Sequence, residues 1–188
     1  MKQPRADART GFALAGAAAA VGLAAGLAAT AGARGIAKVA EPLAGDWFAI
    51  MKTEHLVVLE LFERLEGTAP SAKARRLALL EKIRQALTRH AVQEENVLYP
   101  ALRIAGLDIP AVQLAAEHAD VRTTLYELED LAADHPSWKG RVRSVRGELE
   151  AHMVQEEEEI FPELRRLLTP DQNERLTARM LREGRRVC

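Results

Sequence analysis

The phrase His90-Ala91-Val92-Gln93-Glu94, closing on Tyr99-Pro100, returns as His152-Met153-Val154-Gln155-Glu156, closing on Phe161-Pro162. Aligned from His90 to Arg103 and from His152 to Arg165, the copies share eight residues in fourteen: His, Val, Gln, Glu, Glu, Pro, Leu and Arg. This is an internal repeat, so the fold has to bring two equivalent halves together. Extended backwards, the register sets Glu54-His55 opposite Glu117-His118, an offset of 63 residues against 62 for His90 and His152. Four of the five histidines thus sit at repeated positions.

A chain of 188 residues is long enough for one well-buried domain with appendages and too short for two ordinary ones. Aromatics make up only 4% while Ala, Leu, Glu and Arg dominate, so the expected fold class is all-α. A net charge of -1 and a pI near 6.5 leave no electrostatic footprint for nucleic acid, and none is expected as a partner. Cys188 is the single cysteine, which excludes an internal disulfide and a thiolate cage. Any metal must therefore be held by imidazole and carboxylate. Cys188 itself reads as a frayed end, with an intermolecular disulfide or a modification as the minority reading.

Between Arg9 and Arg34 no residue is charged, and Lys2, Arg5 and Arg9 precede the run. It is long enough to enter a bilayer but rich in weakly apolar Ala and Gly. Residues 10–33 thus have three readings. One is an export signal with Ala29-Thr30-Ala31-Gly32-Ala33 as its cleavage region, and another is an anchor with the small-residue spacing Gly22 to Gly26. The third is an Ala-rich packing helix. Membrane association is placed ahead of the others, giving a cytoplasmic, membrane-associated domain as the expected location and export as the alternative.

Glu41-Pro42-Leu43-Ala44-Gly45 breaks this pattern, so 1–45 forms one segment, 46–168 the domain and 169–188 a terminal helix and tail. Asp46 is the predicted N-cap of a first helix whose inward stripe is Phe48, Met51, His55, Val58, Leu59, Phe62 and Leu65. Ser71 is the predicted cap of a second helix carrying Leu77, Leu80, Ile83, Leu87, His90, Glu94 and Leu98 inward, kinked or ended by Pro100. Gly106 to Pro110 forms the next turn. A third helix with Val112, Leu114, Ala115, His118, Val121, Leu125 and Leu128 inward runs to near His135-Pro136. A fourth begins beyond Ser137 with Val142, Val145, Leu149, His152, Glu156 and Ile160 inward, and Pro162 repeats Pro100. Thr169-Pro170-Asp171-Gln172 reads as a capping box opening a short Arg-rich helix whose arginines form a solvated face. Short connections make this an antiparallel up-down four-helix bundle, one hairpin per repeat.

Residues four apart on a helix lie side by side, so His90 presents with Glu94 and His152 with Glu156. Pseudo-twofold symmetry sets the two pairs facing each other, with His55 and His118 from the other helices. Buried carboxylates are strongly penalised unless paired or bound to a cation, and no Lys or Arg falls on the inward stripes near them. A metal satisfies them. Two carboxylates from opposing helices can each bridge a pair of ions while the histidines close the ends, and this donor set suits non-haem iron before manganese or zinc. The Glu-x-x-His pairs of ferritin-like di-iron bundles and the His-Glu-x-x-His motif are both absent. Neutral ligands in this number leave positive charge on the ions and favour the ferrous state. Glu95, Glu157 and Glu158 read as solvated acids, the first two also as outer partners of the histidines, and Glu159 as exposed rather than a spare ligand. His135 belongs to a turn.

His55, His90-x-x-x-Glu94, His118 and His152-x-x-x-Glu156, in that order and spacing, resemble the hemerythrin-like, HHE cation-binding family over roughly 46 to 168. The resemblance implies an oxo- or hydroxo-bridged di-iron centre with Glu94 and Glu156 bridging and the four histidines as terminal ligands. The O2-carrying members have a fifth histidine one turn past the helix-three ligand, where this chain has Arg122. Arg122 either reaches the open side of the centre, where it could stabilise a bound anion or peroxide, or bends to solvent or pairs with a neighbouring carboxylate. The first functional expectation is a protein that binds or senses O2, nitric oxide or peroxide. The alternative is a stress-response enzyme that repairs iron centres or reduces nitric oxide or peroxide, and a third class uses the metal only to stabilise the bundle.

Overall fold

The computed structural model describes residues 45–187, so the readings placed on residues 10–33 and on Cys188 lie outside the described residues. Among the described residues all regular structure is helical, and no helix is long and apolar enough to cross a membrane. Helix α1 runs Trp47–Glu66 and α2 runs Lys73–Gln93. A π-helical turn, Glu94–Leu98, passes directly into α3, Tyr99–Ile104. After α4, Asp108–Asp130, the second copy repeats this: α5, Trp138–Gln155, a π turn Glu156–Ile160, then α6, Phe161–Leu167. α1, α2 with α3, α4, and α5 with α6 are the four rods of the bundle. α7, Pro170–Arg186, lies across α1, α2 and the first π turn.

Asp46 caps α1 by accepting from the Ala49 N–H at 3.2 Å. Thr169 and Gln172 form the expected capping box on α7. Elsewhere the local expectations shift. Ser71 is not the cap of α2, which starts one residue later from Ala72 with no side-chain cap. Leu77 is half exposed and Arg76 takes the inward place, because Arg76 lies about three turns before Leu87 and Leu77 about 100° off that line. The buried guanidinium of Arg76 donates to the Thr68 hydroxyl and carbonyl and to the Ala133 carbonyl, tying together the two loops at that end. Val112 is likewise exposed and Ala111 buried, since Ala111 is two turns from His118 and Val112 is not in line with it. α4 ends at Asp130, earlier than expected, with Leu131 extended. His135 turns back on Ser137, with its Nδ1 2.8 Å from the Ser137 Oγ, well outside the core.

Pro100 and Pro162 do not end their helices. A proline ring clashes with the carbonyl four residues back and supplies no N–H. A π turn directly before it widens the helix and shifts the bonding to five residues back. The N–H groups of Tyr99 and Phe161 accordingly donate to the carbonyls of Glu94 and Glu156.

Two apolar clusters fill the bundle. One holds Phe62, Leu80, Ile83, Leu128, Trp138 and Val142, and the other Trp47, Met51, Leu98, Tyr99, Phe161 and Met180. The repeated histidines and glutamates sit on the same helices between these two clusters. At Gly184 of α7 an added Cβ would lie 2.5 Å from the Gln93 side-chain amide, so any larger residue there requires the side chain preceding Glu94 to shift.

Candidate metal centre

The structure brings all six repeated residues together: His55 from α1, His90 from α2, His118 from α4, His152 from α5, and Glu94 and Glu156 from the first residue of each π turn. All six are buried, and both carboxylates are completely so. They form two overlapping groups of four. One is His55, His90, Glu94 and Glu156, and the other is His118, His152, Glu94 and Glu156. In each group one ligand atom per residue lies within 4.8 Å of the rest. Each group takes two imidazoles of its own, and both share the two glutamates.

The contacts fit ligands gathered around an ion better than a hydrogen-bonded core. Nε2 of His55 is 3.2 Å from Nε2 of His90, and Nε2 of His118 is 3.2 Å from Nε2 of His152. Two imidazole nitrogens gain one hydrogen bond at most from such an approach, whereas nitrogens about 2.1 Å from one shared ion are separated by about this distance. Glu94 Oε2 lies 3.2 Å from His90 Nε2 and 3.1 Å from His118 Nε2, so it reaches both groups. Glu156 does the same with different oxygens, Oε2 at 3.4 Å from His55 and Oε1 at 3.4 Å from His152. Glu94 Oε1 and Glu156 Oε2 are buried and accept no hydrogen bond. An unsatisfied buried carboxylate oxygen is costly. A cation between the two carboxylates removes that cost, so the residues present fit a metal.

The Nδ1 atoms point outward, and each meets a further glutamate. Glu157 is 2.8 Å from His55 Nδ1, Glu54 3.3 Å from His90 Nδ1, Glu95 3.1 Å from His118 Nδ1 and Glu117 2.7 Å from His152 Nδ1. A carboxylate on Nδ1 draws the proton there and leaves the Nε2 lone pair facing inward, the orientation a metal requires. These acids reach across helices. Glu54 of α1 serves the histidine of α2, and its repeat counterpart Glu117 of α4 serves that of α5. Glu95 and Glu157 serve α4 and α1 in the same way. Three are backed by cations: Arg89 on Glu54 at 2.9 Å, Arg122 on Glu95 at 3.0 Å and Lys52 on Glu157 at 3.2 Å. Gln93, its amide nitrogen turned toward Glu54, donates to both carboxylate oxygens at 2.8 and 3.3 Å. Glu95 and Glu157 are therefore partners of histidines rather than free acids. Arg122 pairs with a neighbouring carboxylate, while Glu158 and Glu159 are exposed.

Tyr99 is the residue that helical periodicity misses. In an α-helix it falls about 140° from Glu94, but the π turn stacks residues five apart. Its hydroxyl lies 3.0 Å from His118 Nε2, with Glu156 Oε1 at 3.2 Å and Glu94 Oε2 at 3.3 Å as the two acceptors within reach of its single proton. The repeat counterpart is Phe161, so of this pair only Tyr99 brings a hydroxyl to the centre. The sequence signal was the Tyr-Pro against Phe-Pro difference in the closing dipeptide.

Without metal the cluster is strongly self-paired. Burial pulls the His118 imidazole down, but the Glu94 and Glu95 carboxylates bonded to it outweigh this and raise its pKa to about 9. His90 and His152 move up for the same reason, burial opposing and the glutamates prevailing. Glu94 is held well below the usual carboxylate range: burial works against ionisation, and the His90 and His118 imidazoles overcome it. Burial, with Glu94 and Glu156 beside it, holds the Tyr99 hydroxyl protonated well beyond its ordinary range.

The family model described as the Hemerythrin HHE cation binding domain matches residues 48–164, from the start of α1 to within α6. A crystal structure of a hemerythrin HHE cation-binding domain-containing protein from Mycobacterium kansasii superposes with a TM-score of 0.67 at 24% identity, over 76% of this chain and 87% of that one. That likeness shows the fold. Among curated proteins, a DNA nickase from Nostoc sp. is 28% identical over 125 residues, which are 66% of this chain but only 35% of the relative. The chain thus spans about a third of that protein's length.

Proposed function

Because the chain belongs to the hemerythrin HHE cation-binding domain family, we propose that it holds two non-haem irons in the bundle core and binds or senses O2, or a related small ligand such as nitric oxide or peroxide. The observation that carries this reading is the pair of overlapping four-residue groups sharing Glu94 and Glu156. Two imidazoles per position with two shared carboxylates is a hard-to-borderline nitrogen and oxygen set, which suits iron ahead of manganese or zinc. Bound iron supplies reversible redox chemistry and an affinity for diatomic ligands that no side chain has.

The chain's own residues define what surrounds that chemistry. Glu54, Glu95, Glu117 and Glu157 fix the four imidazole rings. The apolar clusters to either side keep water from the carboxylates, and the Tyr99 hydroxyl can donate a hydrogen bond to a group lying between Glu94, Glu156 and His118. The test is an optical titration of the anaerobic, ferrous-loaded chain. A visible band that appears on admitting O2 and vanishes on its removal is the expected result. Irreversible bleaching with consumption of added reductant would instead favour an enzyme.

A further inference from the structure

The two halves of the bundle have diverged on one face, and the divergence leaves a cavity. About 350 Å3 of space lies between α2 and α4 with α5 behind it, and His90, His118 and His152 line its inner end. Leu87, Val121, Leu125, Leu149 and Met153 make its walls apolar. Pseudo-twofold symmetry predicts a matching space between α5 and α1, on the side of His55. In register, however, Leu125 of the open face corresponds to Phe62 and Arg122 to Leu59. Phe62 is fully buried, and Leu59 packs against the same core. Larger apolar side chains fill one face where smaller or outward-turned ones leave the other open.

Size and charge select the occupant. A dry apolar cavity of about 150 Å3 accommodates benzene, so 350 Å3 corresponds to roughly fourteen non-hydrogen atoms, several times what a diatomic gas needs. Arg84 and Arg122 stand at the mouth, but Arg84 is bonded to Glu81 and Glu129 and Arg122 to Glu95. Their charges are balanced, which argues against an anionic ligand. Thr88 and Tyr126 at the same rim offer hydroxyls to a single polar end.

We infer that this cavity binds an uncharged, largely apolar organic molecule of roughly ten to fourteen non-hydrogen atoms, with its inner end against His90, His118 and His152. Binding as such follows from the cavity, whereas placement of that inner end beside a metal rests on the proposed function.

Naphthalene and 1-decanol serve as probes, titrated calorimetrically into the full metal-loaded chain with the visible spectrum followed in parallel. Saturable one-to-one binding of at least one probe is expected, with a negative heat-capacity change and a shift of the metal-centre spectrum. Leu125→Phe, copying the filled face, and Ala91→Met, adding bulk to the cavity wall, should each weaken binding at least tenfold while metal content and helicity stay unchanged. Leu56→Ala, at an exposed apolar position, should bind as wild type does. Absence of saturable binding to the wild-type chain, or equal affinity in both cavity-filling variants, would overturn the inference even if two metals are present. Stoichiometric binding by a chain that holds no metal, lost in both variants, would keep the cavity and remove the metal reading instead.

Discussion

Glu156→Ala should lower the metal content from the proposed two ions per chain to at most one and abolish any spectrum that depends on the pair. Glu156 places one oxygen 3.4 Å from His55 and the other 3.4 Å from His152, so its removal takes a donor from both groups at once. Losing an outer partner of a ligand typically costs tenfold to a hundredfold in affinity, so a shared inner ligand should cost more than about a hundredfold. Glu94→Ala should behave alike, because Glu94 reaches His90 and His118 with a single oxygen. Glu158→Ala, exposed two residues beyond Glu156, is the control and should leave metal content unchanged. Metal analysis of the three variants, with helicity checked by circular dichroism, decides this. Two ions and an unaltered spectrum in Glu156→Ala would remove it from the bridge.

The second large effect is a pH dependence that metal should abolish. In the metal-free chain the folded pKa of His118 is about 9 against about 6.5 unfolded. A group raised on folding contributes its stability fully below the unfolded pKa and loses it as pH rises through the folded one. For His118 that window runs from about 6.5 to about 9, and the separation corresponds to about 3 kcal/mol. His90 and His152 shift in the same direction and add to the alkaline loss. Glu94, held low, works at the other end: its contribution is present above the ordinary glutamate pKa and fades as the solution is acidified. Urea unfolding of the metal-free chain should therefore show clearly lower stability near pH 9.5 than near pH 6. Metal-bound imidazoles carry no titrating proton, so the loaded chain should be nearly flat over that range. Equal stability of the metal-free chain at both values would contradict the pairing described for the histidines.

Most of the centre was legible because the helical period places His90 with Glu94 and His152 with Glu156, and the repeat supplies His55 and His118. Periodicity works while the helix stays regular. It misses Tyr99, directly after the first π turn, because that turn stacks residues five apart and brings its hydroxyl back over Glu94. The roles of Glu54 and Glu117 were hidden for another reason. Each is adjacent to one histidine in sequence but bonds to a different one on the neighbouring helix, and such pairing depends on how helices are set side by side. Leu77 and Val112 were misplaced because apolar character alone decided their facing. Arg76 shows that a buried guanidinium with carbonyl and hydroxyl partners can hold an inward position instead.

The most direct test of the proposed two-metal centre is elemental analysis of the full chain after anaerobic loading with ferrous iron and removal of excess, read beside its absorption spectrum before and after O2. Two irons per chain, with a band that requires oxygen, is the result expected from two four-residue groups sharing Glu94 and Glu156. A single ion per chain, or a spectrum indifferent to oxygen, would contradict it.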